Sequence, residues 1–243
     1  MTKTLILSDV HLSTNPNHSI NQQFHHFLQH NASHYCQIYI LGDLFDRWLG
    51  DDIGLIEYSK TIDLLQNICA QGTPIYLMVG NRDFLLGRCF FSATGVQPLP
   101  DYHRIQLHGH RYLMTHGDLL CLEDTGYLRM RTLFHHPVIQ WLFLCLPQKH
   151  RQSLGAKIQK ETKQATQNKR METMDVSEAY VQALLQEYEC PTLIHGHTHQ
   201  PDIHLYQAGE KQRYVLGDWG QNTVYFEASK LGLLAKPMPF SED

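Results

Sequence analysis

The chain has 243 residues, enough for one α/β core carrying an insertion, and its 20 Lys and Arg against 24 Asp and Glu leave a formal charge of −4. No general basic field advertises nucleic acid, so any anion site has to be local. Six cysteines (Cys36, Cys69, Cys89, Cys121, Cys145, Cys190) form no Cys-x-x-Cys pair and several sit in apolar runs, which predicts reduced thiols in a cytoplasmic setting.

Met1 to Thr4 runs straight into the first strand, Thr4 to Leu7, so no cleaved leader is expected. A polar loop with Pro16 follows, and Gln22 to His30, with Phe24, Phe27 and Leu28 on one face, predicts a helix. The strand Ile38 to Leu41 ends in Gly42-Asp43, and Leu44 to Asp52 is too rich in Gly and Asp to extend a helix far. One helix is expected from Leu55 to Ala70, stopped by Gly72, before Pro74 opens the strand Ile75 to Val79.

Past Gly95, His103 to Leu107 and Arg111 to Thr115 flank His108-Gly109-His110 as an antiparallel hairpin. Tyr127 to Phe134 and Val138 to Leu146 read as apolar helices split by Pro137; the second contains Gln140 and is far shorter than the roughly 20 residues of a bilayer span. Gln148 to Arg170 then carries Lys149, Arg151, Lys157, Lys160, Lys163, Lys169 and Arg170 against the single acid Glu161. Residues 126–170 are therefore expected to form an insertion, greasy then basic, in a core built from 1–125 and 171–243. Asp175 with Glu178 predicts a capping box for a helix to Glu189. Pro191 to Ile194 resumes the core, and runs from Ile203, Tyr214, Val224 and Leu231 predict a terminal antiparallel meander.

Five of the predicted strands end in the same way: Asp9-Val10-His11, Gly42-Asp43, Gly80-Asn81-Arg82-Asp83, His116-Gly117-Asp118 and Gly196-His197-Thr198-His199. Alternating strands and helices predict a layered, largely parallel α/β core, whose ligands gather at the carboxyl ends of strands. Carboxylate, imidazole and one amide oxygen, with no thiolate, suit a divalent ion such as Mn²⁺ better than a structural Zn²⁺. Asp9, His11, Asp43, Asn81, His116, His197 and His199 are more donors than one octahedral ion that also keeps water can use, so two ions sharing a carboxylate are expected. Two such ions roughly 3.5–4 Å apart promote in-line displacement at phosphorus, which points to hydrolysis of a phosphoester or phosphoanhydride.

In this order the five motifs resemble those of the calcineurin-like metallophosphoesterases. Asp43-Leu44-Phe45, Trp48 through Asp52, Gly80 through Gly87, Met174-Asp175-Val176 and Leu193 through His199 resemble, more narrowly, the branch that hydrolyses UDP-2,3-diacylglucosamine in lipid A biosynthesis. The resemblance implies a layered α/β/β/α sandwich with a helical lid insertion and two Mn²⁺ per chain. One ion would take Asp9, His11 and His199, the other Asn81, His116 and His197, with Asp43 between them. It implies release of UMP and diacylglucosamine 1-phosphate, with substrate contacts at Asn81, Arg82, Asp124, Lys169 and His197. Thr162 and Thr166, where the family often has Ser and Asn, are further expected contacts. Peripheral attachment to the cytoplasmic face of the inner membrane is expected, without nucleic acid or an obligate protein partner.

Many phosphomonoesterases and phosphodiesterases of this class place His after the Asn, where it assists an alkoxide leaving group. Arg82 cannot act as a general acid but binds phosphate bidentately. Because a phosphoanhydride expels a phosphate that needs little protonation, Asn81 and Arg82 are expected to act together in pyrophosphate cleavage.

Other positions keep two readings. Leu128, Leu133, Phe134, Val138, Trp141, Leu142, Phe143 and Leu146 wall an acyl channel or form the core of a lid, and the basic run meets phosphates or is a solvated face. His195 neighbours the ligands or belongs to the core, and Asp118 orients an imidazole or makes a turn. Asp46, Asp51 and Asp52 are loop carboxylates or touch the substrate. His18, His25, His26, His30, His34, His135, His136 and His150 are read as solvated. Two rival functions remain, a phosphoesterase of different substrate and a non-catalytic scaffold; the second would lose ligands that are all present here.

Overall fold

Successive side chains of a strand point to opposite faces, and in β1 (Lys3–Leu7) that alternation already separates two cores. Leu5 and Leu7 enter a core shared with helices, whereas Ile6 enters one that lies between two sheets. The computed structural model describes residues 3–168, 176–220 and 223–237, the side chains of 159–168 excepted.

β1, β2 (Tyr35–Leu41), β3 (Ile75–Met78) and β4 (Gln97–Leu99) pair in parallel. A second sheet holds β5 (His103–Leu107), β6 (His110–Met114), β7 (Thr192–His195), β8 (Ile203–Tyr206) and β9 (Lys211–Val215) in the order β5-β6-β7-β9-β8. Its middle, β6-β7-β9, is parallel and its edges are antiparallel. The chain then returns to the first sheet as β10 (Val224–Ser229) and β11 (Gly232–Pro237), an antiparallel pair laid beside β1.

Helices cover the outer faces. Phe24, Phe27 and Leu28 of α1 (Ser19–Asn31) pack on the first sheet with Ile62, Leu65 and Ile68 of α3 (Ser59–Ala70) and Phe90 of α4 (Arg88–Thr94). Val181, Leu184 and Leu185 of α8 (Glu178–Glu187) pack on Leu113 and Leu193 of the second. Ile6, Tyr39 and Leu41 meet Tyr112, Met114 and Ile194 between the sheets. The result is the four-layer α/β/β/α sandwich expected.

Several boundaries differ from expectation for local reasons. The single helix Leu55 to Ala70 is two, α2 (Asp51–Glu57) and α3, broken at Tyr58 (φ −113, ψ 26). Tyr58 is drawn inward, its ring stacked 5.8 Å from that of Trp48 and its hydroxyl donating to the Arg47 carbonyl (3.0 Å). α2 starts inside the Gly- and Asp-rich stretch because Gly54 lets it lie on Trp48, where a Cβ would fall 2.5 Å from the indole. The expected meander is divided between the sheets, β8 and β9 in one and β10 and β11 in the other. α8 is capped by Ser177, whose side chain accepts from Tyr180 N–H, while Asp175 lies outside the described residues.

The stretch expected as an insertion forms α5 (Thr125–Phe134), α6 (Pro137–Leu144) and α7 (Gln148–Asn168). Arg151, read in the sequence as part of a basic run that meets phosphates or is a solvated face, is instead buried. It donates to the Leu49 carbonyl and pairs with Asp52 (2.8 Å), tying α7 to the loop after β2 and the start of α2.

Candidate metal centre

Parallel pairing continues past the ends of β1 and β2 and carries their loops together: Asp9 N–H donates to Gly42 C=O (3.1 Å) and His11 N–H to Asp43 C=O (3.0 Å). The same happens in the second sheet, where Gly196 N–H donates to His116 C=O (2.8 Å). The cost appears in the backbone. Of nine non-glycine residues with positive φ among the described residues, five are Asp9, His11, Asp43, His197 and His199, a conformation that persists only where its surroundings enforce it.

Two glycines permit the closeness. A Cβ on Gly80 would stand 2.2 Å from Asp43 Oδ1, and one on Gly196 would stand 2.1 Å from Asp9 Oδ2. Buried Asp83 staples the loops from below, accepting from Leu44 N–H (2.8 Å) and Gly80 N–H (2.7 Å).

The seven expected donors come together. Asp9, His11 and His199 each present an atom within 4.8 Å of the others, and so do Asp9, Asp43 and His116. Asn81 Oδ1 is 3.1 Å from His116 Nε2 and 3.0 Å from His197 Nδ1. Asp43 stands between, Oδ2 3.9 Å from His11 Nδ1 and Oδ1 3.8 Å from His116 Nε2.

With the imidazoles neutral, too few protons lie between these atoms to satisfy them. His116 Nδ1–H donates to Leu41 C=O (2.8 Å), so its Nε2 lone pair faces the amide oxygen of Asn81. The Nε2 atoms of His11 and His199 face one another at 3.2 Å, and His11 Nδ1 is buried without a hydrogen-bond partner among the described residues. Donors converging in this way fit divalent cations.

Without cations, the same crowding of acids instead favours protons on part of the cluster. Burial, with repulsion from Asp83 and Asp9, lifts Asp43 to about 7, and burial lowers His11 to about 3 and His197 to about 4. Burial also opposes a charge on His116, but Asp43, Asp9 and Asp118 outweigh it and raise the imidazole to about 9. Asp9 is held well below the usual carboxylate range against burial, through His199 and His116.

Around the donors, Arg82 gives its backbone N–H to Asp43 Oδ1 (2.9 Å), sets Nε 3.7 Å from Oδ2, and bonds Asp46 through its guanidinium (2.5 Å). Asp46 is thus no free loop carboxylate. Asp51 accepts from Gly87, Cys89 and Phe90 N–H and from the Trp48 indole, which caps α4. Asp118 neither orients an imidazole by a hydrogen bond nor merely turns the chain. It accepts from Tyr127 Oη (2.7 Å) and Arg131 Nε (2.6 Å) and so anchors α5.

Asp124 caps α5, accepting from Tyr127 N–H (3.1 Å). Thr162 and Thr166 lie in α7 where side chains are outside the described set, and Lys169 lies outside the described residues. His195 is fully buried; its Nδ1–H donates to Gly196 C=O (2.8 Å) and burial lowers it to about 3. His25 is half-buried rather than solvated, bonded to Thr61 (2.8 Å), and His135 stacks on Phe84 at 5.1 Å. Sequence reasoning missed the staple of Asp83 and the cap of Asp51. In each the signal was only an acid amid glycines, whose backbone partners are distant in the chain or hidden by folding.

Comparison with known proteins agrees with this geometry. The chain is similar to the UDP-2,3-diacylglucosamine hydrolase of Histophilus somni (strain 2336), 40% identical over 236 residues that cover 96% of this chain and 98% of that one. Similarity to the Vibrio cholerae protein of that name (serotype O1, O395) is 41% over 242 residues, 97% and 98% of the two chains. For the Haemophilus influenzae protein (strain Rd) it is 43% over 223 residues, 91% and 92%. The family model for calcineurin-like phosphoesterases matches residues 2–201. A match of that extent takes in every one of the converging loops, and the chain belongs to the calcineurin-like phosphoesterase family.

Proposed function

We propose that this chain hydrolyses the pyrophosphate bond of UDP-2,3-diacylglucosamine to give UMP and 2,3-diacylglucosamine 1-phosphate (lipid X), a step of lipid A biosynthesis. The relatives bear that substrate in their names. Within the chain, the observation that carries the reading is Arg82, a guanidinium held beside Asp43 by Asp46 at the mouth of the donor cluster.

Asp9, His11 and His199 would hold one divalent ion and Asn81, His116 and His197 the other, both Mn²⁺, each group facing one oxygen of Asp43. When bound, such a pair supplies Lewis acidity and a water acidic enough to be nucleophilic at neutral pH. Water adds to the phosphorus nearer uridine, and the anhydride P–O bond toward the sugar breaks. The leaving phosphate monoester departs without needing a proton. Arg82 binds the non-bridging oxygens, where charge accumulates, and stabilises it without proton transfer. Asn81, His197, Asp124, Thr162, Thr166 and Lys169 complete the substrate contacts.

Residues 126–170 serve as the lid. Leu133, Val138, Trp141 and Leu142 are 50–63% exposed along α5 and α6, beside exposed Lys149, which supports acyl-chain binding and peripheral attachment to an anionic, cytoplasmic membrane face. Among the described residues no helix is long and apolar enough to cross a membrane.

The test is purified protein with Mn²⁺ and the synthetic substrate in ¹⁸O-water. Label is expected in UMP. Label in the sugar phosphate, or faster turnover of dinucleoside polyphosphates or an aryl phosphodiester, would overturn the reading.

A further inference from the structure

Arg213 lies in β9 only 3% exposed, and among the described residues no carboxylate pairs with it. Burying a guanidinium without an anion is costly, so its two partners carry weight. Nε donates to the hydroxyl of Tyr206 (3.0 Å), and NH1 lies 3.3 Å from Nε2 of His195.

A guanidinium has donors and no acceptor, so Nε2 of His195 must offer its lone pair and the ring proton must sit on Nδ1. That proton goes to the Gly196 carbonyl (2.8 Å). The same oxygen accepts from Thr198 N–H (2.8 Å), while Gly196 N–H reaches back to the His116 carbonyl (2.8 Å). The other tautomer would set an N–H against the guanidinium and a lone pair against the carbonyl. At the centre of this turn His197 (φ 67), and just beyond it His199 (φ 54), are held in the left-handed region.

We infer that Arg213 is a positioning residue for the cation site: by fixing the tautomer of His195 it pins the Gly196 carbonyl and thereby pre-organises His197 and His199. The inference rests on the metal reading proposed above.

Two measurements on chelator-stripped protein test it: Mn²⁺ affinity by electron paramagnetic resonance, and the His195 tautomer by ¹⁵N NMR of the ring. Arg213→Met should unlock the tautomer and weaken Mn²⁺ binding about 10–100-fold, as loss of an outer partner does. Arg213→Gln keeps an N–H for His195 and should stay near wild-type affinity. If Arg213→Met fails to fold by circular dichroism, two His195 variants decide. His195→Asn, with its amide N–H in the place of Nδ1, should keep affinity, and His195→Gln should lose it; equal affinities would overturn the inference. A Met variant that binds as tightly as wild type would overturn it alone. Wild-type protein that takes up no Mn²⁺ would overturn the metal reading with it.

Discussion

Gly80→Ala is the smallest change that tests the centre. The new methyl would meet Asp43 Oδ1 at 2.2 Å and the Asp43 backbone nitrogen at 2.5 Å, so the aspartate or its strand end must retreat by roughly 1 Å to ordinary contact distance. The carboxylate cannot simply rotate away, because Oδ1 also accepts from Arg82 N–H (2.9 Å). Overpacking costs about 1–3 kcal/mol, and a clash that includes backbone belongs at the upper end. About 3 kcal/mol corresponds to a fall in Tm of ~6–12 °C for a chain of this size. Since each oxygen of Asp43 faces a different group of donors, the displacement should weaken both cation sites and lower turnover about 100-fold. Gly72→Ala is the control: no atom lies within 4 Å, and only its φ of 95° resists the substitution, for about 1 kcal/mol and no loss of function. Melting with excess chelator isolates the steric cost from lost ions, and elemental analysis counts the ions. A Gly80→Ala protein with wild-type Tm and two ions per chain would refute the argument.

Four further outcomes are expected. Arg82→Ala should lower kcat about 10²–10³-fold while ion content stays near two per chain; unaltered kcat would remove the guanidinium from the chemistry. Asp51→Ala strips the cap from α4 and should cost about 2 kcal/mol in urea unfolding without changing ion uptake, and a null effect on stability would contradict the capping role. Glu227 accepts from Tyr35 Oη (2.8 Å) and Lys3 Nζ (2.9 Å); burial works against its charge, but these bonds hold its pKa down. Its contribution is then complete above the ordinary glutamate value near ~4.3 and lost as pH falls through the lower folded value. The stability gap between wild type and Glu227→Gln should therefore be widest at neutral pH and close in acid, and a pH-independent gap would count against it. Trp141→Glu with Leu142→Glu should abolish sedimentation with vesicles rich in anionic phospholipid, whereas retained binding would place the membrane contact elsewhere.

The donor set was legible because each donor follows a short apolar run: Leu5 to Leu7, Ile38 to Leu41 and Ile75 to Met78 form strands, and Asp9, Asp43 and Asn81 come at their ends. Local pattern could not show how the ends are drawn together. Gly80 and Gly196 read as ordinary turn glycines, yet each leaves room for a carboxylate from another loop. Nor does periodicity reveal a capping acid, since Asp51 bonds to Gly87, 36 residues away. The break at Tyr58 was hidden for a similar reason: the aromatic is claimed by Trp48 and Phe45, and tertiary packing overrides a helical stripe. Arg151 reads as one more base in a charged run until Asp52 and the Leu49 carbonyl come within reach.

What holds strained donors in place is therefore chiefly the backbone of neighbouring loops. Asp9 is left-handed, but its N–H is taken by Gly42, its C=O by Trp219 N–H (3.1 Å), and its Oδ2 by Ser8 Oγ (2.6 Å) and His197 N–H (2.9 Å). With one oxygen so fully engaged, only Oδ1 is turned to His199 (3.3 Å) and His11 (3.9 Å). The loop after β7 thus helps decide which oxygen of the β1 aspartate is offered. Neither sheet can build the site alone, because the first supplies Asp9, His11, Asp43 and Asn81 and the second His116, His197 and His199. On the metal reading proposed above, the packing of Ile6, Tyr39 and Leu41 on Tyr112, Met114 and Ile194 is a functional interaction as well as a structural one: it sets the distance across which the donors of the two sheets face each other. Core substitutions there should alter ion affinity before they alter the fold, since close-packed layers transmit a shift of one sheet to every loop at its end.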